Sequence, residues 1–291
     1  MALRRGLFLL LLSGCGPLSE RPPVEESTVA VSATGLSGLT VDGAGTVYSV
    51  AERDRVLVAI EDGQPREIPL SGVPREVDLE AIAWLEGSRF VLASESADAD
   101  RTEDLLFVVE LEAGRARVTE TVSMPYAAVG ATPDDNDGIE GLCVVDGTWI
   151  AALEHPHEGL ATLAVRDPDG TWSGRDMRLT TSIGKLSALS CHRARGGIRV
   201  WAIERGIDRS LFGEEWVARV LWFALPEPGQ LAMPQVASDL AGRVPGQPNP
   251  EGLAFVDDEA WIVTDNHYRV RVGDTRLLRA PIRAGLLHPP P

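Results

Sequence analysis

Carboxylate and hydroxyl side chains recur along this chain in one repeated pattern. Five times, a Ser or Glu is followed by a small residue and an aliphatic residue, and an apolar run ends in an acid 14 to 17 residues later. The opening residues are Ser37, Glu80, Glu140, Ser187 and Glu251, and the closing acids are Glu52, Glu95, Glu154, Glu204 and Asp265. Oxygen-bearing side chains of this kind bind hard cations such as Ca²⁺, and carboxylates also serve as general acids or bases.

The segments between these residues must position them. After each opening residue comes an apolar strand, a turn rich in Gly or Asp, and a second apolar strand, and further strands follow in the same order. This alternation predicts consecutive β-hairpins. A repeat that spans tens of residues is typical of a solenoid, a propeller or an array. The sequence therefore predicts an all-β fold with four strands in each repeat.

The two ends of the chain indicate how the repeats close. The last repeat lacks a fourth strand, whereas residues 28–33 form an extra strand before the first repeat. Placing this N-terminal strand in the last sheet closes a ring and protects the sheet edges. We therefore predict one domain at residues 28–291, a five-bladed β-propeller whose last blade is completed by the N-terminal strand. Six blades are the alternative, because the interval from Asp208 to Asn249 is long enough for another repeat.

A propeller would gather the repeated acids at one place. The first strand of each blade lines the central channel and the second strand returns to the same end. Glu side chains crowded there repel one another and lose hydration, and Ca²⁺ resolves this because it accepts about six to eight oxygen ligands. The predicted calcium ligands are Ser37, Glu80, Glu140, Ser187 and Glu251. The alternative is that these residues hydrogen-bond the backbone of the adjacent blade without a metal.

The order of the opening residues carries a resemblance. Ser, Glu, Glu, Ser and Glu at successive openings resemble the calcium-activated nucleotidases, the apyrases of blood-feeding arthropods and their vertebrate relatives. The run from Gly45 to Arg53 is similar to that family's strand ending in Tyr-Ser-Val-Asp-Asp-Arg. This resemblance implies a five-bladed propeller with one Ca²⁺ in its channel. The Glu-Gly-Leu openings at Glu140 and Glu251 also resemble bacterial phytase-like and esterase-like propellers.

Two functions of different classes follow, since propellers host both. In the first, the chain is a calcium-dependent hydrolase of phosphate esters or anhydrides, nucleotidase-like or phytase-like, acting on a small molecule. The catalytic candidates are Glu95, Glu154 and His155, and the substrate-binding candidates are Glu52, Arg53, Glu204, Arg205 and Asp265. In the second, the chain is a non-enzymatic binding or scaffold protein with structural calcium and a protein partner in the cell envelope.

The N-terminal segment predicts export and anchoring. Arg4 and Arg5 precede an apolar run that is too short to span a bilayer, and the run ends in Leu-Ser-Gly-Cys, which resembles the lipobox of bacterial lipoproteins. We expect a signal peptide at residues 1–14, lipidation of Cys15, a flexible tether at residues 15–27 and attachment to the membrane of the bacterial cell envelope. An ordinary signal peptide with an incidental Cys is the alternative.

The charge and the cysteine content indicate which classes of partner and which compartment to expect. The formal net charge of −16 argues against a nucleic-acid partner, which needs a basic surface. Cys143 and Cys191 follow their opening residues at different offsets and are therefore expected on different faces of their strands. We expect them to be small buried hydrophobic residues rather than a disulfide, although an exported protein permits one.

Overall fold

The structure is a computed structural model that describes residues 24–96, 98, 100–133, 138–154, 156–210, 213–241, 243–244, 249–257, 259–265 and 275–281. Strands dominate this part of the chain, and its one helix, α1, is a single turn at Tyr126–Val129. Within the described residues, no helix has the length and apolarity needed to cross a membrane. The fold is all-β, as the sequence predicts. The predicted signal peptide and Cys15 lie outside the described residues.

The first half of the chain forms one large sheet. After the N-terminal strand β1 (Glu25–Thr28), its strands are β2 Leu36–Val41, β3 Val47–Ala51, β4 Val56–Glu61, β5 Gln64–Ser71, β6 Asp78–Glu86, β7 Arg89–Glu95, β8 Glu103–Glu112 and β9 Arg115–Pro125. The order is β2-β3-β4-β5-β9-β8-β7-β6. The sheet thus consists of two antiparallel four-strand meanders, which meet where the end of β5 lies parallel to the start of β9.

Three smaller sheets contain the rest of the described strands. These are β10 Ile139–Val145, β11 Thr148–Leu153, β12 Leu160–Arg166, β13 Trp172–Arg178, β14 Lys185–Ala194, β15 Gly197–Ser210, β16 Gly213–Ala224, β17 Leu231–Ala232, β18 Gln235–Asp239, β19 Asn249–Val256, β20 Glu259–Asp265 and β21 Arg276–Pro281. Their orders are β10-β11-β12-β13-β17, β14-β15-β16-β18 and β1-β21-β20-β19. Within each sheet, the main run of strands is again an antiparallel meander.

The N-terminal strand joins the last sheet, as predicted, but at a different place in the sequence. β1 pairs with β21 and covers residues 25–28, whereas the sequence placed the closing strand at residues 28–33 and a tether before it. Residues 25–27 are therefore part of the sheet. Glu25 and Glu26 form ion pairs of 3.4 and 3.3 Å with Arg279 and Arg276 of β21. An acidic segment held by its partner strand carries no hydrophobic alternation, so the pattern could not reveal it.

The sheets pack face to face around one axis. The first strands of the meanders, β2, β6, β10, β14 and β19, contact one another in a closed ring. The buried hydrophobic clusters of the described residues lie between consecutive meanders. Ala151 of β11, for example, packs with Ala93 of the preceding meander, and its neighbours Ile150 and Ala152 pack with Leu189 of the next. This arrangement of sheets around a channel is that of a β-propeller.

A disulfide joins two of the first strands. Cys143 of β10 and Cys191 of β14 are bonded, with their Cα atoms 5.7 Å apart. The expectation that these cysteines stay unpaired is wrong. Each sheet packs one face on the opposite face of the next, so residues on different faces of their own strands are the ones that meet between meanders. The difference in offset, which argued against a bond, is what brings the two sulfur atoms together.

The repeated opening motif has a packing explanation. Its middle residue is small because the neighbouring first strand passes very close: a Cβ on Gly141 would lie 2.9 Å from the backbone of Ala188, and a Cβ on Gly38 would lie 2.7 Å from the backbone nitrogen of Ile82. The third residues of the motif are buried aliphatic side chains in the middle of the channel, namely Leu39, Ile82, Leu142, Leu189 and Leu253.

Candidate functional site

β-Bulges displace the opening residues from the strand ladder. In β6, Leu79 and Ala81 pair with consecutive positions of β7, so Glu80 is the extra residue between them. The same register shift occurs at Glu140 of β10, Ser187 of β14 and Glu251 of β19, and β2 has its shift just after Ser37. A bulge re-aims a side chain and is common beside functional sites. The motif thus marks the places where the first strands bend at the end of the channel.

Buried carboxylates from both predicted sets converge at this end. Asp78, Glu80 and Glu95 each offer an oxygen atom, and these atoms lie within 4.8 Å of one another. Glu95, Glu140 and Glu154 form a second group of the same dimensions. The four Glu residues are only 5 to 7% exposed. We call the first group the acidic triad; the second group shares Glu95 with it, so the two are continuous.

Asp78 is a site residue that the sequence reasoning missed. It lies two residues before the opening residue Glu80 and opposite the closing acid Glu95 in the β6–β7 ladder. The signal was available in the pattern, because the residue two places before each opener faces the closing position of the same hairpin. In the other hairpins this place holds Gly35, Gly138, Lys185 and Asn249.

The crowding of carboxylates shifts their proton affinity. Burial, together with the charges of Glu140 and Glu52, raises the pKa of Glu80 well above its usual range. Burial and Glu140 also raise the pKa of Glu95 to about 8, even though the backbone N–H of Gly138 donates to this carboxylate over 3.3 Å and acts in the opposite direction. Both side chains therefore favour a bound proton at neutral pH, or a bound cation that replaces it.

Arg205 is the internal counter-ion of the second carboxylate group. One of its terminal nitrogens lies 3.1 Å from Glu140, 3.0 Å from Glu251 and 4.0 Å from Glu154, and the other donates to the side-chain oxygen of Asn249 over 2.7 Å. Burial would lower the pKa of Arg205, but Glu251 and Glu140 raise it, so the guanidinium stays charged. These contacts engage Arg205 within the protein, whereas the sequence suggested that it contacts substrate.

The register of the β14–β15 hairpin explains why the basic side chain of Arg205 lies at this position. Lys185 pairs with Arg205 in β14–β15, just as Asn249 pairs with Asp265 in β19–β20. Arg205, and not Glu204, thus occupies the closing position of this hairpin. The sequence pattern points to Glu204, one residue earlier, because the other four repeats each close with an acid. A shift of one residue along a strand moves a side chain to the other face of the sheet.

The Glu204 side chain accordingly forms its hydrogen bonds with the segment before β14. Its carboxylate is fully buried and accepts hydrogen bonds from the backbone N–H groups of Thr180 and Thr181 over 3.0 Å, and the Thr181 hydroxyl donates to it over 3.1 Å. These contacts fix the segment that leads into β14. The residue predicted to bind substrate therefore anchors a loop.

Two further cations flank the carboxylates. Arg53 forms an ion pair with Asp78, with Nε 2.8 Å from Oδ1, and its side chain is 45% exposed. Lys185 forms an ion pair with Glu154 Oε1 and is 32% exposed. Both can be reached from solvent, whereas the side chain of Arg205 is 15% exposed. The basic groups at this end thus differ in their access to a ligand.

The remaining predicted residues have mixed positions. The hydroxyls of Ser37 and Ser187 donate to backbone oxygens of the neighbouring first strands, Glu80 O at 2.5 Å and Pro250 O at 2.7 Å, as the metal-free alternative proposed for the opening residues. Glu52 is buried close enough to raise the pKa of Glu80. His155 and the side chain of Asp265 lie outside the described residues.

A large cavity lies at the other end of the channel. It measures about 850 Å³ and is lined by the turn ends of the first strands, including Trp84, Phe255 and the disulfide of Cys143 and Cys191. The carboxylates of the acidic triad and of the second group are not among its lining residues. The two ends of the channel thus differ: buried carboxylates gather at one end, and the cavity at the other end is lined by apolar residues together with Asp146, His192, Arg193 and Asp257.

The fold and the site together define a β-propeller with a carboxylate-rich channel end. A model of the family described as "Phytase-like: Esterase-like activity of phytase" matches residues 39–268. The chain belongs to this phytase-like family. The match supports the resemblance to phytase-like propellers, and the resemblance to apyrases rests on the sequence motifs alone. No curated protein matches the chain.

Solved structures are similar to the chain at low sequence identity. The exo-β-1,3-galactanase of Phanerochaete chrysosporium, solved with β-1,3-galactotriose, is 12% identical with a TM-score of 0.54, over 88% of this chain and 64% of that chain. The PQQ-bound aldose sugar dehydrogenase of Streptomyces coelicolor is 16% identical with a TM-score of 0.49, over 90% of this chain and 99% of that chain. At 12% identity, the likeness to the galactanase extends to the fold alone.

Proposed function

We propose that this chain is a calcium-dependent hydrolase of phosphate esters or anhydrides, with its active site at the acidic end of a five-bladed propeller. The observation that carries the proposal is the acidic triad of Asp78, Glu80 and Glu95, largely buried and within 4.8 Å of one another. The description of the family, an esterase-like activity of phytase, supports hydrolysis as the reaction class. The substrate class follows from the cations beside the triad.

Five blades account best for the strand pairing. The four-strand groups are β2–β5, β6–β9, β10–β13, β14–β16 with β18, and β19–β21 with β1. Five hydrophobic clusters among the described residues each join two consecutive groups, the last group packing on the first. The short parallel contact of β5 and β9 links the outer strands of two blades. A sixth blade would need strands between β16 and β19, where the described residues contain only β17 and β18.

The donor set of the triad fits Ca²⁺. Asp78, Glu80 and Glu95 would hold the ion through carboxylate oxygens, which are the hard ligands that Ca²⁺ prefers over the nitrogen and sulfur donors of transition metals. The elevated pKa of Glu95 indicates that negative charge at this point needs compensation, and a divalent cation supplies it. When bound there, Ca²⁺ would polarise a phosphoryl oxygen of the substrate.

The chain's own residues would perform the remaining steps. Glu154, whose carboxylate oxygen is within 4.8 Å of those of Glu95 and Glu140, is the proposed base that accepts a proton from the attacking water. Arg53 is partly exposed beside Asp78 and would attract an anionic substrate. The water oxygen bonds to phosphorus, the P–O bond to the leaving group breaks, and the leaving oxygen takes a proton from solvent.

The test is hydrolysis of p-nitrophenyl phosphate and a nucleoside diphosphate by the full-length chain, with excess Ca²⁺ or with chelator. We expect turnover and a higher Tm with Ca²⁺, and loss of both effects in Glu80→Gln/Glu95→Gln. The matched control is Glu112→Gln, an exposed Glu at the end of β8, which should keep both. Absence of phosphate release by the calcium-loaded protein would overturn the proposal, and hydrolysis of p-nitrophenyl acetate in the same protein would then indicate a carboxylic esterase.

A non-enzymatic function is the second candidate, favoured by the contacts between blades. The hydroxyls of Ser37 and Ser187 bond the backbone of neighbouring first strands, and Arg205 links carboxylates of two other hairpins. The acidic end could thus hold the ring together around a structural ion while the surface binds an envelope protein. Under this function Ca²⁺ raises the Tm and no substrate is turned over.

We also propose that the chain is exported and lipid-anchored through Cys15. The disulfide of Cys143 and Cys191 supports this, because disulfides persist in oxidising compartments. Expression in a bacterial host fed an alkyne fatty acid tests the proposal. The label and the membrane fraction of the protein should both be lost in Cys15→Ser, and label retained in that variant would contradict lipidation of Cys15.

A further inference from the structure

The Lys and Arg residues of the chain are almost all of one type. Of the 27 Lys and Arg residues, all are Arg except Lys185. That single Lys lies at the acidic end of the channel, at the start of β14 and opposite Arg205. Its Nζ forms an ion pair with Glu154 of the neighbouring hairpin, which is the proposed base. The chain thus places its only Lys side chain beside the candidate site.

Lys185 and Arg205 are neighbours with different access to solvent. Arg205 is held by Glu140, Glu251 and Asn249, and its side chain is 15% exposed. The Lys185 side chain is 32% exposed, about twice the exposed fraction of Arg205, so it is the more accessible of the two to an anion that arrives from solvent. Arg205 therefore compensates charge within the protein, whereas Lys185 is positioned to compensate charge on a ligand.

The chemistry of an ammonium group suits this place. A Lys side chain carries three rotatable donors on a flexible stem, so it can keep one bond to a carboxylate and donate another to a ligand oxygen. An Arg guanidinium would tend to pair with the carboxylate through two parallel bonds and stay there. The site also contains two different local charge environments, because Glu95 is shared by the acidic triad and by the second carboxylate group, in which Glu154 pairs with Lys185.

We propose that Lys185 binds the phosphoryl group of the substrate and determines the preference for phosphate esters over uncharged esters. This inference rests on the proposed function and deepens it. Lys185 would hold the phosphoryl oxygens next to Glu154, so the phosphorus lies within reach of the water that Glu154 deprotonates. An uncharged carboxylic ester has no anionic oxygen for this ammonium and would not be positioned by it.

The single Lys makes a direct binding experiment possible. Reductive ¹³C-methylation of the full-length chain labels Lys185 and the terminal amine while keeping both charges, and Lys185→Arg identifies the Lys signal by its loss. Inorganic phosphate is added in the presence of Ca²⁺, with chloride at matched ionic strength as the control. We expect a saturable shift of the Lys185 methyl signal with phosphate only. An unchanged signal in protein that hydrolyses p-nitrophenyl phosphate would overturn the inference and leave the proposed function intact.

Kinetics test the same residue independently. Lys185→Met should raise KM for p-nitrophenyl phosphate at least tenfold and leave hydrolysis of p-nitrophenyl acetate within twofold, and Lys185→Arg should recover part of the loss. The control is Arg193→Met, an exposed basic residue paired with Asp146. A Ca²⁺-induced rise in Tm shows that each variant is folded. If Lys185→Met fails to fold, the phosphate-dependent shift of the Lys185 methyl signal tests the inference instead. A phosphate-dependent shift without turnover of either ester would show that Lys185 binds phosphate, but it would contradict the proposed hydrolase and, with it, the role of Lys185 in substrate preference.

Discussion

Arg205 donates a hydrogen bond of 3.1 Å to the Glu140 carboxylate of the neighbouring hairpin, and it does so from the closing position that an acid occupies elsewhere. The Arg205 guanidinium thereby takes the place of a carboxylate in its own hairpin and neutralises the Glu140 carboxylate of the neighbouring hairpin. The acidic end is divided as a result. Glu140, Glu154 and Glu251 have an internal cation, whereas the triad around Glu95 has the partly exposed Arg53 at Asp78.

The first prediction concerns Arg205 itself. Arg205→Met should lower the free energy of unfolding by roughly 3–5 kcal/mol, because it leaves Glu140 and Glu251 buried without their cation. Urea denaturation in chelator measures this loss, and excess Ca²⁺ should restore part of it. Arg193→Met, which breaks the exposed pair with Asp146, should cost about 1 kcal/mol or less. Equal losses in the two variants would mean that Arg205 is not a counter-ion.

The second prediction is a pH dependence of the calcium-free protein. Folding raises the pKa of Glu95 from 4.5 to about 8, so the native state binds its proton more tightly than the unfolded chain. The stability associated with Glu95 is therefore complete below pH 4.5 and is lost as the pH rises towards 8, at most about 5 kcal/mol in total. The difference in unfolding free energy between wild type and Glu95→Gln, measured in chelator from pH 5 to 9, should fall with rising pH. A difference that stays constant would contradict the shift.

The β-propeller architecture could be predicted from the sequence because the repeat gives the same pattern several times. The motif of a Ser or Glu, a small residue and an aliphatic residue recurs near the start of the first strands. Its first residue supplies an oxygen-bearing side chain, its small residue allows the neighbouring first strand to pass close by, and its aliphatic side chain is buried. Errors in single strands did not affect the overall prediction. The closing strand was misplaced by a few residues because Glu25 and Glu26 are held by pairing with β21 and by ion pairs, not by burial of an apolar face.

The details of the site were harder to predict, since they depend on register and on packing between sheets. Glu204 and Arg205 are adjacent in sequence, and only the longer β14–β15 hairpin decides which of them faces the site. Asp78 could be found only by pairing it with Glu95 across the ladder. Cys143 and Cys191 required knowledge of which faces of neighbouring sheets meet. None of these relations is visible in a single segment.

The third prediction tests the disulfide between first strands. Cys143→Ser/Cys191→Ser should lower the free energy of unfolding by about 2–4 kcal/mol, because the bond closes a loop of 48 residues and constrains the unfolded chain. Urea denaturation of wild type with and without a thiol reductant should reproduce this difference, and the reductant should have no effect on the double variant. A wild-type curve that ignores the reductant would argue against the bond.

The last prediction concerns the small residue of the opening motif. Gly141→Ala should be strongly destabilising, because the added Cβ would lie 2.9 Å from the backbone of Ala188 and Leu189, and neither strand can move without opening the ring. We expect a loss of roughly 3 kcal/mol or more, in the range of severe overpacking. The control is Gly114→Ala, where the φ of 76° is unfavourable for Ala but nothing lies within 4 Å of the new Cβ, so the cost should be about 1–2 kcal/mol. Urea denaturation ranks the two variants, and a smaller loss at Gly141 than at Gly114 would show that the first strands are not packed as tightly as the ring requires.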